Sequence, residues 1–153
     1  MEYTDEYWMQ QAIELARKAA SEDEVPVGAV IVKDNQLISE GWNQPIQKHD
    51  PSAHAEMMAI RNAGQSLENY RLIDTTLYVT LEPCSMCVGA MIHARVKRLV
   101  FAAYDAKTGA AGSAINLIHE PLHNHKLEVV GGVLEAECKQ LLQDFFKKKR
   151  KKK

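Results

Sequence analysis

The stretch Thr76-Leu77-Tyr78-Val79-Thr80-Leu81, followed at once by Glu82-Pro83-Cys84-Ser85-Met86-Cys87, decides how the rest of the chain is read. Its first half is a β-branched and apolar run, which predicts a strand, and its second half passes through Pro83 into a helix predicted from about Cys84 to His93. The alternation continues outward. Arg98–Ala102 predicts a further strand, Lys126–Val130 a weaker one, and Leu134–Phe146 a final helix with Leu134, Cys138, Leu141, Leu142 and Phe145 on its apolar stripe. Between them, a Gly/Ala loop at Thr108–Gly112 leads to a predicted short helix near Ser113–Leu117. Upstream, Ala53–Ala63 suits a helix stopped by Gly64, reached by a loop through Pro45 and Pro51. Val27–Val32 is apolar throughout and predicts a strand buried on both faces, turning at Lys33-Asp34-Asn35-Gln36 into a hairpin partner near Leu37–Ser39. Residues 5–20 predict an amphipathic helix capped by Thr4, with Trp8, Ala12, Leu15, Ala16 and Ala19 on one face. Strands alternating with helices after an opening hairpin predict an α/β fold of three layers (α/β/α), one five-stranded mixed sheet with helices on both faces.

The chain has 153 residues, enough for one domain with a substantial core, and its 46% hydrophobic and 25% charged residues are ordinary for a globular protein. No apolar run approaches the roughly 18–20 residues a bilayer demands, so no membrane partner is expected. The start, Met1-Glu2-Tyr3-Thr4-Asp5-Glu6, has neither a basic nor an apolar signal region, and the expected compartment is the cytoplasm. The formal net charge of −1 conceals an asymmetry: seven of 19 basic residues fall in Lys147–Lys153, leaving 12 against 20 acids in the body. The expected organisation is therefore one domain over residues 1–146 and a disordered basic tail over 147–153. Such a tail either attracts phosphates or is simply solvated.

The three cysteines, Cys84, Cys87 and Cys138, cannot all pair, and in a reducing compartment C-x-x-C spacing points to metal or redox chemistry. Cys84 and Cys87 project onto one side of a first helical turn, where the positive helix end favours thiolates. His54 opens the other helix and can bring a nitrogen to the same point. One His and two Cys make three ligands, which leaves the fourth tetrahedral position for water, the catalytic zinc pattern. Glu56 lies two residues from His54 on a different azimuth, suited to the water rather than to the metal. Zinc lowers the pKa of such a water to about 7, and a neighbouring carboxylate can accept its proton and pass it on. Alone, C-x-x-C also fits a structural zinc corner or a redox pair. The ordered combination of His-x-Glu with Pro-Cys-x-x-Cys is far more specific. Cys138, on an apolar helical face, is expected to be a buried structural thiol.

That combination is the signature of zinc-dependent nucleobase deaminases. Around it, Glu24–Val30, Gly41-Trp42-Asn43, His49-Asp50-Pro51, Ala53–Glu56, Asn69–Leu72, Leu77–Cys84, Gly89–His93 and Asp105–Ser113 resemble the bacterial tRNA adenosine deaminases of the cytidine/deoxycytidylate deaminase superfamily. The resemblance runs from about Tyr7 to Phe146. It implies a cytidine-deaminase-like fold, one Zn(2+) per subunit, a homodimer, and hydrolysis of adenosine to inosine at the wobble position of a tRNA anticodon stem-loop, arginine tRNA foremost. It also implies substrate roles for Asn43, the Ala55 N–H, Asp105, Lys107 and Asn124. Each has a plainer alternative: Asn43 as a turn cap, Asp105 as a loop brace, Asn124 as a surface turn. Phe145 fits the core stripe of its helix, whereas Phe146 is placed to stack on a base or to cover an apolar patch. Two other readings share the same metal residues: a free nucleobase or nucleoside deaminase acting on guanine or cytosine, and a non-catalytic zinc-containing RNA-binding subunit. Glu56 speaks against the second, since a structural site has no use for that carboxylate.

Overall fold

The doubly apolar run forms β1 (Gly28–Lys33), the second strand of a five-stranded sheet. In the computed structural model, which describes residues 2–120 and 125–151, β1 pairs antiparallel with β2 (Gln36–Trp42) and with β3 (Thr76–Leu81). β4 (Arg98–Ala103) runs parallel to β3, and β5 (Glu128–Val130) parallel to β4, giving the order β2-β1-β3-β4-β5. Antiparallel neighbours on one side and parallel ones on the other make the sheet mixed, as the alternation predicts.

Side chains alternate between two cores. Ala29, Ile31, Leu77, Val79, Leu99 and Phe101 join a cluster with α3 (Ala55–Leu67) and α4 (Ser85–Ala94). Val30, Val32, Tyr78, Val100 and Ala102 pack instead with Trp8, Met9, Ala12 and Ile13 of α1 (Asp5–Ser21) and with Cys138 of α5 (Glu135–Lys151). Burial on both faces explains why β1, β3 and β4 read as unbroken apolar runs. Gly41 lets α3 close on β2, since a Cβ there would run into the backbone at Ala55 and Ala59. Thr4 caps α1 by accepting the Tyr7 N–H at 3.1 Å. One residue on, the Asp5 carboxylate takes both Arg98 Nη groups (2.8 and 2.7 Å) and the Tyr78 hydroxyl (2.8 Å), tying α1 to β3 and β4.

Several expectations are corrected. Residues 113–117 are not helical; they turn, and Ala111 bridges Asn116, because the N–H groups of Ala111 and Ser113 bond a buried carboxylate rather than a helical carbonyl. Gly64 does not stop its helix: α3 runs to Leu67 and ends on Glu68 in the left-handed region (φ 52°). The loop after β2 holds a single helical turn, α2 (Pro45–Lys48), begun by a proline whose missing N–H costs nothing there. α5 continues through Lys147–Lys151 instead of ending at Phe146, since Lys and Arg are good helix formers and cations suit a helix C-terminus. Lys152, Lys153 and the predicted substrate residue Asn124 lie outside the described residues. No helix among the described residues is long and apolar enough to cross a membrane.

Candidate active site

At the carboxyl ends of the parallel strands β3 and β4, where open α/β sheets place their crevices, the chain brings together two helix starts. His54 and Cys84 are the residues just before the first turns of α3 and α4, both in extended conformation, and Cys87 follows one turn into α4. His54 Nδ1 lies 3.7 Å from Cys84 Sγ and 3.6 Å from Cys87 Sγ, and the two sulfurs are 3.8 Å apart. Zinc bonds of about 2.3 Å to sulfur and about 2.0–2.1 Å to nitrogen, at the tetrahedral angle, separate two sulfurs by about 3.8 Å and a sulfur from a nitrogen by about 3.6 Å. The donor triangle has the size of a tetrahedral zinc site.

The electrostatics agree. The Cys84 thiol is drawn down to about 4, first by the hydrogen bond with Cys87 and then by His54. Cys87 is pushed up by the same contact and by burial. Metal binding takes both sulfurs as thiolates and so displaces the protons they carry. Glu56, in the first turn of α3, is 4% exposed, and burial pushes its carboxyl up to about 7, against the opposing pull of the helix start and of His54.

Asn43, His54, Glu56, Cys84, Asp105 and Thr108 face a cavity of about 130 Å³ whose apolar walls include Val25, Val27 and Leu81. Two residues expected to act separately on substrate are bonded to each other: Asn43 Oδ1 accepts the Ala55 N–H at 2.8 Å. Asp105 accepts the N–H groups of Lys107 and Thr108 and the Thr108 hydroxyl, so it braces its own loop while lining the cavity. Lys107 does not line that cavity but a separate groove with Lys139, Gln143, Phe146 and Arg150. Phe146 is 45% exposed there and also edges a depression beside Asn43 and Ile46. Phe145 is half-buried, and Cys138 is wholly buried, its thiol pushed up to about 12 by burial.

Two carboxylates with no predicted role complete the surroundings. Glu24, 1% exposed, accepts the N–H groups of Ile46 (3.2 Å) and Gln47 (2.9 Å) and holds α2 against the cavity rim. Glu82, 2% exposed, accepts the N–H groups of Asp105, Ala111 and Ser113. Their signal in the sequence is an acidic residue abutting an apolar strand, a place where a carboxylate survives only when fully bonded.

Residues 2–103 match the family described as "Cytidine and deoxycytidylate deaminase zinc-binding region". The tRNA-specific adenosine deaminase of Haemophilus influenzae is 54% identical over 150 residues, covering 97% of this chain and 87% of that protein. A chain from structural work on A-to-I editing by tRNA:A34 deaminases at the wobble position of transfer RNA superposes with a TM-score of 0.87 at 40% identity, over 89% of this chain and 99% of that one. The guanine deaminase of Nitrosomonas europaea shares the fold at a TM-score of 0.82 and 25% identity, over 95% and 85% of the two chains. With its donor triangle and buried glutamate at the positions the signature requires, the chain belongs to the zinc-dependent cytidine and deoxycytidylate deaminase family.

Proposed function

We propose that this chain is a tRNA-specific adenosine deaminase, converting adenosine to inosine and ammonia at the wobble position of an anticodon stem-loop, with arginine tRNA as substrate. The observation that carries the chemistry is a buried carboxylate, Glu56, beside a three-donor metal triangle on the wall of a small cavity. A tRNA-specific adenosine deaminase 54% identical over 97% of this chain supports the substrate class over the guanine deaminase reading, behind which stands a Bacillus subtilis guanine deaminase structure at 36% identity over 82% of this chain.

In this reading His54, Cys84 and Cys87 hold the metal. Zinc, when bound, supplies an acidified water of pKa about 7. Glu56 would take a proton from water and deliver it to a ring nitrogen of the base, and would then carry a second proton, from the hydroxyl that the water leaves on the ring carbon, to the departing amino group, which leaves as ammonia. Val25, Val27 and Leu81 exclude solvent from the base, Asn43 and the Ala55 N–H exchange their mutual bond for bonds to substrate, and Phe146 stacks beside the mouth. Lys107, Arg150 and the lysines of α5 attract the phosphates. The enzyme works as a homodimer in the cytoplasm; exposed Met86, between the two metal-site cysteines in the first turn of α4, supplies apolar surface for a second copy.

Zinc-loaded protein incubated with an arginine-tRNA anticodon stem-loop carrying adenosine at the wobble position should produce inosine. Glu56→Ala should keep one zinc per chain and lose turnover by at least about 10²–10⁴-fold. No inosine from a fully zinc-loaded wild type, with guanine consumed instead, would sink the tRNA reading.

A further inference from the structure

Glu82 lines the same cavity, yet no proton transfer or metal bond described above uses it. Its carboxylate is 2% exposed and is filled by donors from a single loop. Oε1 accepts the Asp105 N–H at 3.1 Å and the Ser113 hydroxyl; Oε2 accepts the N–H groups of Ala111 and Ser113, both at 3.0 Å. Gly109 passes so close that a Cβ there would sit 2.5 Å from Glu82 Cδ and 2.6 Å from Oε2. The loop is therefore folded around the carboxylate, and the anchored stretch carries Asp105 and Thr108 on the cavity wall and Lys107 at the basic groove.

We propose that Glu82 is a positioning residue for substrate selection: it holds residues 105–113 in the one arrangement that sets the cavity wall and the phosphate groove at a fixed distance from the metal triangle. This rests on the function proposed above. The bonding requires a carboxylate, not merely a side chain of that shape. A carboxylate is acceptor only, whereas glutamine offers one acceptor oxygen and one donor –NH2. Either way round, the glutamine –NH2 would meet a backbone N–H, that of Asp105 in one orientation and those of Ala111 and Ser113 in the other, donor against donor. The loop must then move away, while His54, Glu56 and Cys87 keep their places on α3 and α4, whose first turns make no bond to Glu82.

The test is Glu82→Gln in the zinc-loaded, full-length protein, read by steady-state kinetics on the stem-loop, zinc content, and amide hydrogen exchange. The expected result is a KM raised about tenfold with kcat within about twofold, the pattern of weakened binding with intact chemistry. Zinc content should stay at the wild-type value. Exchange should speed up within residues 105–113 and be unchanged in α3 and α4. A fall in kcat with KM unchanged, loss of zinc, or unaltered exchange in the loop would overturn the proposal. If Glu82→Gln does not fold, Gly109→Ala presses on the same carboxylate from the loop side and must raise KM likewise; an unchanged KM there overturns it too. Should wild type make no inosine from the stem-loop, the functional reading falls, and the exchange comparison still decides whether Glu82 holds the loop.

Discussion

Each donor of the metal triangle sits at a helix start where the backbone is already committed, so removing one leaves the other two in place but short of a tetrahedral set. His54→Ala and Cys87→Ala should each lower zinc below one per chain, and chelating the wild-type zinc should lower its Tm, since a ligand bound only by the folded state stabilises that state. Metal analysis and thermal melting with and without chelator would read both. Asn43 is a different kind of residue. Its side-chain oxygen satisfies the first N–H of α3 in the absence of substrate. Asn43→Ala should destabilise the protein by about 1 kcal/mol, as loss of a helix cap does, and reduce kcat/KM by more than the stability loss explains. An unchanged kcat/KM would reduce Asn43 to a cap.

Among the elements, α1 is held to the sheet by its apolar face and by the Asp5 carboxylate on Arg98 and Tyr78. The Arg98 guanidinium holds the folded-state carboxyl of Asp5 below its ordinary value of 3.8. Its stabilising contribution is therefore complete above that value and is lost as pH falls through the lower folded-state value. The pair is partly solvated and screened, so Asp5→Asn should lower Tm by no more than about 4 °C at neutral pH. The gap to wild type should close as pH drops below the ordinary carboxylate range, and melts across pH 3–7 (about that span, set by the carboxylate reference values) would show it. A gap independent of pH would mean the asparagine costs packing rather than charge.

On the scale of the whole molecule, an acidic body carries a run of basic residues on one helix end, and α5 extends as far as Lys151. That helix places Lys149 over the Phe145 ring and Arg150 in a groove with Lys107 and Phe146. Replacing Lys147, Lys148, Lys149, Arg150 and Lys151 with Gln should weaken tRNA binding. It should also flatten the salt dependence by about 0.7–0.9 in log–log slope for every phosphate that is no longer neutralised. Binding titrations over a range of salt would measure it, and an unaltered slope would show that the tail never meets the phosphates.

Much of this protein is legible without coordinates. The unbroken apolar run of β1 predicts a strand covered on both faces, and the ordered pair of His-x-Glu and Cys-x-x-Cys at two helix starts points to a metal site with a carboxylate beside it, because periodicity and ligand spacing are local properties of the chain. What only the tertiary structure decided is non-local. The 3.6–3.8 Å donor triangle exists because α3 and α4 begin at the same end of the sheet. The 113–117 segment is a turn because a carboxylate from a remote strand end takes its N–H groups, overriding a helical propensity that is worth only tenths of a kcal/mol per residue. The Asn43–Ala55 bond and the roles of Glu24 and Glu82 stayed invisible for the same reason: a buried carboxylate is defined by the donors around it, and those donors come from loops that only the folded chain brings together.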